Sequence, residues 1–148
     1  MASVSRTPWW ARWFVPAHVW VYRASGGRVG HRLGRQRTLL LTTTGRRSGR
    51  PRTQPVTYFT LEGQTVLVAS NWGNDQPPAW YRNCLAQPRV RVRRGRAVFA
   101  AVARVATDAE RARLWPRLIA GNPQYARYQA AVAHTIPVVL LLPAPSTE

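Results

Sequence analysis

Between residues 38 and 68 short apolar runs follow one another with connections too brief to hold a crossover helix, and this constrains the fold more than any other feature of the chain. "TLLLTTT", "QPVTYFTL" and "TVLVAS" have the length and the β-branched content of strands, and Glu62, Gly63 and Gln64 make a short turn between the second and third. Strands joined this tightly pair antiparallel. "RVRVRR" then alternates, setting Val90 and Val92 on one face and Arg89, Arg91 and Arg93 on the other, and Gly95 turns the chain into "AVFAAVARVA". "IPVVLLL" closes as a sixth strand. One helix, "PAWYRNCLA", is inserted after the third strand, with Pro78 at a permitted first-turn position and Trp80 and Cys84 one turn apart. "TDAERARLWPRLI" opens with Thr107 and Glu110 in capping-box spacing, and Pro116 is expected to kink it or start a new helix. Asn122 and Pro123 read as the cap and first turn of another helix, on which Tyr125 and Tyr128 face the same way. The absence of a βαβ rhythm favours a mainly β (α+β) antiparallel barrel with peripheral helices over a Rossmann sheet.

The 148 residues suffice for about one domain. "ASGGRVGHRLGRQR" (24–37) reads as a flexible basic linker, so the expected division is an N-terminal Trp/Arg-rich segment and linker over 1–37, a barrel over 38–143 and a tail over 144–148. The net charge of +17 comes entirely from arginine, a bias that fits the coding habit of an Arg- and Ala-rich genome and still implies an anionic partner. Cys84 is alone, which excludes an internal disulfide and a cysteine metal cage and points to a reducing compartment, the cytoplasm. Residues 9–23 mix four tryptophans with arginines and a histidine; no uninterrupted apolar stretch reaches membrane-span length, and no signal-peptide pattern is present. Two readings stay open for it: a helix lying at an anionic headgroup surface, peripheral on the inner face of the cell membrane, or a helix folded back onto the core.

Candidate chemistry starts from absences. His18, His31 and His134 lie in separate segments without metal-ligand spacing, and the five acids, Glu62, Asp75, Asp108, Glu110 and Glu148, supply no catalytic pair. A chain lacking its own acids, bases and nucleophile must borrow its reactivity from a cofactor. "TTTGRRSGRPRTQP" (42–55) sets Arg46, Arg47, Arg50 and Arg52 around Gly45 and Gly49, more cation than a hairpin needs, so the turn reads as a clamp for phosphate or carboxylates built from guanidinium forks and converging backbone N–H groups. "SNWGNDQPPAWYRN" adds Ser70 at a strand end, Gly73 for close backbone approach and Trp80 at a helix start, together a floor and wall for a flat ring.

"LLLTTTGRRSGRPRTQPVTYF", "VLVASNWG", "PAWYRNCLAQPRVRV" and "AERARLWPRLIAGNPQYARYQ" followed by "TIPVVLL" closely resemble the deazaflavin-dependent nitroreductase family of actinobacteria, across about 38–143. The resemblance implies an FMN-binding-like split β-barrel and coenzyme F420 as hydride donor. It implies that Arg46, Arg47, Ser48 and Arg52 hold the phosphate and oligoglutamate tail, and that Thr53, Gln54, Pro55, Val56 and Thr57 line the cofactor's path. By the same carry-over Val68, Ala69, Ser70 and Asn71 meet the ring, and Ala79, Trp80, Tyr81, Arg82 and Asn83 pack along it. Tyr125 and Tyr128 match tyrosines bordering the cavity, with Ser70 and Tyr128 the candidates for donating to the acceptor as charge develops. Asn71 and Trp72 stand where the family commonly has a lysine and a small residue, so Trp72 is expected to narrow the cavity mouth; Cys84, Gln87 and His134 also depart from the usual residues. The implied acceptor is hydrophobic, quinone-like or nitroaromatic. Two competing readings are a non-enzymatic nucleic-acid-binding barrel, disfavoured because "RVRVRR" has no aromatic ring to stack on, and an FMN-dependent relative, for which four clustered arginines exceed what one phosphate needs.

Overall fold

The computed structural model describes residues 32–33 and 36–145. Within these residues seven strands form one antiparallel sheet: β1 (Arg32–Leu33), β2 (Gln36–Thr44), β3 (Pro51–Leu61), β4 (Gln64–Val68), β5 (Arg89–Arg94), β6 (Ala97–Val105) and β7 (Val138–Pro143). The ladder runs β2-β3-β4-β7-β6-β5, and β5 pairs back onto β2 through Leu40↔Arg93, Leu41↔Val92 and Thr42↔Arg91, closing a six-stranded barrel with β1 appended to β2. Closure removes the open edges that a six-stranded sheet would otherwise expose. Pairing therefore begins ahead of the expected domain start at Thr38, and the stretch assigned to a linker contributes β1 and the first residues of β2.

The tight turns follow from backbone sterics. Glu62 (φ 53°) and Gly63 (φ 72°) are both left-handed, the two-residue turn whose twist matches the flanking strands, with Leu61 and Gln64 directly paired. Gly95 (φ 61°) supplies the single positive φ between Arg94 and Ala97.

Alternation sorts the strands by what covers their outer face. Val90 and Val92 of β5 point into the barrel with Leu39, Leu41, Val56, Tyr58, Leu67, Ala101, Ala103, Val139 and Leu141, while Arg89 and Arg91 are exposed. The same parity turns Arg94 inward at the barrel end, where it lies over the rings of Tyr58 and Phe99 at 5.6 and 5.9 Å and donates to Thr65 Oγ1. β4 and β7 do not alternate, because both their faces are covered. Their outer residues Val66, Val68, Val138 and Leu140 carry a second core with Leu114 and Leu118 of α2 (Asp108–Gly121) and Tyr125 of α3 (Gln124–Ala131). Fully burying each such aliphatic side chain contributes about 1.5–3 kcal/mol.

The first helix, α1 (Ala79–Ala86), buries Trp80, Asn83 and Cys84. The capping box of α2 is complete, Thr107 Oγ1 accepting from Glu110 N and Glu110 Oε1 from Thr107 N. The helix runs through Pro116 without the expected break. Pro116 and Ala112, whose carbonyl loses its partner there, are both exposed, so water can take the freed acceptor. On α3, Gln129 accepts from Ile136 N and donates to His134 O, and Arg111 of α2 donates to Ile136 O and Gln129 Oε1 while stacking on Trp115 at 4.1 Å. These bonds fix the return of the chain into β7 and with it the position of α3.

Candidate functional site

β2 and β3, the end of β4, the start of α1 and the face of α3 enclose a cavity of about 450 Å³. β3 supplies its floor with Gln54, Pro55, Val56 and Thr57, and β4 ends in it with Val68 followed by Ser70. Trp80, in the first turn of α1 and 5 % exposed, walls one side beside Pro78; Tyr125 and Tyr128 wall the other, their rings 6.3 Å apart. Gln36 and Thr38 of β2 close the far end, and Asn122 and Gln124 flank the tyrosines.

Ser70 opens a single 3₁₀ turn over Asn71–Gly73 whose residues are all left-handed, Asn71 at φ 46°, Trp72 at φ 58° and Gly73 at φ 77°. Asparagine tolerates this conformation; tryptophan does so at a cost of about 1–3 kcal/mol. Four bonds hold the turn: Gly73 N donates to Ser70 O at 3.0 Å, Asn71 Nδ2 donates to Gln76 O at 2.7 Å, and Asn71 O accepts from Asn74 N and Nδ2. The result aims Asn71 and Trp72 at the cavity, with the Trp72 ring 80 % exposed at its mouth. Gly73 lies against α3, since a Cβ there would meet Tyr128 Cδ1 at 3.0 Å. The Tyr128 hydroxyl donates to Gln124 Oε1 at 2.7 Å. Burial pushes the Tyr125 phenol up to about 12, so it remains a proton-bearing group at neutral pH. Ser70 Oγ makes no capping bond to the turn it opens, and the residue borders the cavity.

The arginine turn connects β2 to β3 as a loop over 45–50. Gly45 N donates to Arg50 O and Gly49 N to Gly45 O, both at 2.8 Å, and Ser48 Oγ accepts from Arg50 N. These N–H groups thus close the loop on itself instead of converging on an anion, which corrects the expectation of a backbone nest. A side chain at Gly45 would strike Ser48 Oγ at 2.8 Å, and Gly49 sits at φ 70°. What the loop presents outward is its guanidinium groups. Arg46, Arg47, Arg50 and Arg52 are exposed, and no carboxylate among the described residues pairs with any of them. Arg46 is tethered: its N and Nη1 donate to Asn83 Oδ1 at 3.2 and 3.3 Å, while Asn83 Nδ2 donates to Thr43 Oγ1 at 3.0 Å. Asn83 is 4 % exposed, so one buried amide fastens the loop to the helix that carries Trp80.

Eleven of the residues singled out in the sequence meet in the cavity wall: Gln54, Pro55, Val56, Thr57, Val68, Ser70, Asn71, Trp72, Trp80, Tyr125 and Tyr128. Arg46, Arg47, Ser48 and Arg52 form the loop beyond it, and Thr53 lies between the two with its hydroxyl 2.7 Å from Thr42 Oγ1. Ala69 is inside the barrel and donates its N–H to Pro137 O; Ala79 is exposed on the first turn of α1. Tyr81 packs edge-on to Trp80 at 6.4 Å, and Arg82 bonds Gln76. His134 is held through its carbonyl and lies outside the cavity lining. Sequence reasoning missed Gln36, Thr38, Pro78, Asn122 and Gln124 as lining residues. The first fell in the supposed linker. A signal existed at Thr38, a polar residue opening a run of leucines.

Among the described residues no cluster of His, Cys, Asp and Glu could hold a metal, and burial pushes the Cys84 thiol up to about 11, far from a reactive thiolate. The arrangement suits a planar ring with polar edges in the cavity and a polyanionic extension over the loop. A deazaflavin with a phosphate and carboxylate tail fits this donor set.

The family model described as F420H(2)-dependent quinone reductase matches residues 13–143. An F420H(2)-dependent quinone reductase of Mycobacterium tuberculosis is 38 % identical over 128 residues, covering 84 % of this chain and 86 % of the relative. A second, described there as a putative F420H(2)-dependent quinone reductase, is 36 % identical over 106 residues, covering 72 % and 89 %. Among solved structures, an F420-H2 dependent reductase aligns with a TM-score of 0.64 at 35 % identity over 70 % of this chain and 92 % of its own. A domain-swapped dimer aligns at 0.67 and 32 % over 89 % and 96 %.

Proposed function

Because the chain belongs to the family of F420H2-dependent quinone reductases, we propose that it is an oxidoreductase that uses reduced coenzyme F420 to reduce a quinone-like hydrophobic acceptor. The observation that carries the reading is the exposed arginine loop adjoining an aromatic-walled cavity. Arg47, Arg50 and Arg52 bind the anionic tail, each charge-assisted bond contributing about 1.5–3 kcal/mol, with Arg46 held in place by Asn83. Val56 and Trp80 orient the ring by contact, and Gln54 and Thr57 offer polar groups to its edge. When bound, the reduced coenzyme supplies a hydride. The chain's own residues align the acceptor, exclude water and donate hydrogen bonds where negative charge develops on it. Ser70 Oγ is the first donor in that role, and Tyr128, already donating to Gln124, is a second that must exchange partners to act. This division of labour explains why no acid–base pair is needed. Nitroaromatic compounds small enough to pass Trp72 are further acceptors under the same proposal.

Titrating the protein with F420 and with FMN, following quenching of tryptophan fluorescence by Trp72 and Trp80, tests the cofactor assignment. Tighter binding of F420, together with oxidation of F420H2 upon addition of a naphthoquinone, is the expected result. Preference for FMN, or steeply salt-dependent binding of nucleic acid without cofactor binding, would refute the proposal.

A further inference from the structure

Thr38 is 2 % exposed, lines the cavity, and its Oγ1 has no hydrogen-bond partner among the described residues. A buried hydroxyl left unsatisfied is costly, and such groups in folded proteins are satisfied by water or a ligand. Its neighbours make the position more specific. Thr57 is its direct cross-strand partner and also lines the cavity, and Thr57 Oγ1 donates to Gln36 Oε1 at 3.4 Å. That bond uses one of the two acceptor positions of Gln36 Oε1, and the Gln36 amide N–H groups and the Thr38 hydroxyl remain as donors on one short stretch of β2.

Their location decides which ligand they serve. Arg52, at the loop, pairs with Thr43, whereas Thr57 pairs with Thr38, five residues further along β3. At about 3.3 Å per residue that is roughly 16 Å from the cation cluster. A ligand anchored by an anionic tail at the loop, with its ring at Ser70 and Trp80, leaves this end of the cavity to a second molecule. We infer that Thr38, with Gln36, forms a donor subsite that binds a carbonyl oxygen of the acceptor and fixes which edge of it faces the cofactor. The inference rests on the function proposed above. A carbonyl accepts and cannot donate, so it takes its bonds from the Gln36 N–H groups and the Thr38 O–H. Thr38 Oγ1 itself has less than 1 Å² of accessible surface, so the side chain turns about χ1 to meet the carbonyl, and no bound water has to be displaced.

Thr38→Val keeps the volume and removes the hydroxyl; Thr38→Ser keeps the hydroxyl. The readouts are F420 affinity by tryptophan quenching, affinity for 1,4-naphthoquinone in the non-reacting complex with oxidised F420, KM in turnover, and the melting temperature of the protein alone. Thr38→Val is expected to weaken naphthoquinone binding and raise its KM about tenfold, the worth of one lost hydrogen bond. F420 affinity should be unchanged, the melting temperature equal to or above that of the parent, and Thr38→Ser close to the parent throughout. Unaltered naphthoquinone affinity in Thr38→Val overturns the inference, as does an equal loss of F420 affinity, which would assign the hydroxyl to the cofactor. A parent protein that fails to bind F420 overturns the functional reading first, and this inference falls with it.

Discussion

Asn83 offers the sharpest single-residue perturbation, because three hydrogen bonds converge on one buried side chain. Asn83→Ala removes the bond to Thr43 Oγ1, which is 3 % exposed and is left without its partner, and frees Arg46 N and Nη1. A net hydrogen bond contributes about 0.5–1.5 kcal/mol, and the two Arg46 bonds at 3.2 and 3.3 Å belong at the weak end of that range. The sum is about 2–3 kcal/mol. For a domain of this size each kcal/mol moves the melting temperature by about 2–4 °C, so a fall of about 5–10 °C is expected. F420 affinity should drop as well, since the loop loses its anchor to α1. Asn83→Asp separates the two effects: its carboxylate keeps the Arg46 contact while cancelling that cation, so F420 binding is expected to weaken although Arg46 stays held. Thermal melts and fluorescence titrations of both variants measure this. An Asn83→Ala protein that melts with the parent and binds F420 equally would refute the claim that this amide positions the loop.

Trp72→Gly relieves a left-handed tryptophan whose ring is 80 % exposed, so stability should rise by up to about 1 kcal/mol and acceptors bulkier than naphthoquinone should show higher kcat/KM; denaturant unfolding and turnover assays read both. Glu110 is lowered to about 2, first by the bidentate bond from Arg104 and then by the Thr107 backbone. A folded-state pKa below the ordinary glutamate value of 4.5 means the stabilisation is complete above that value and is lost as pH falls toward about 2, so Glu110→Gln should flatten the acid limb of a pH–stability curve in that window. Deleting residues 9–23, which lie outside the described residues, should abolish binding to anionic liposomes while leaving soluble-quinone reduction intact; co-sedimentation checks it. Among the described residues no helix is long and apolar enough to cross a membrane.

Much of the barrel was legible because strand periodicity and turn chemistry are local. Val90 and Val92 point inward as their spacing dictates, and Glu62–Gly63 turns as expected. The start of the sheet was not, because Arg32–Leu33 and Gln36–Arg37 carry no strand composition and take their pairing from β1 lying antiparallel on the start of β2, Arg32↔Arg37 and Leu33↔Gln36. Pro116 misled for a related reason: the helix face it sits on is solvated, and Leu114 and Leu118 on the opposite face hold the turn together. At the site, the arginines, Ser70 and Trp80 stood out by residue type. Thr38 and Gln36 did not, since only the register Thr38↔Thr57 brings them into the cavity. The bonds that close the Gly45–Arg50 loop were equally invisible, and they occupy the Gly45 and Gly49 N–H groups expected to face an anion.

Under the proposed function, guanidinium groups outside the cavity hold the tail of a coenzyme whose ring lies within it. The most direct measurement is the F420 dissociation constant of an Arg47→Ala/Arg52→Ala protein, compared with the parent at low and high salt. A loss of about a hundredfold or more at low salt, shrinking as salt rises, with the melting temperature unchanged, is the expected result. Equal affinity in the two proteins at both salt concentrations would contradict it.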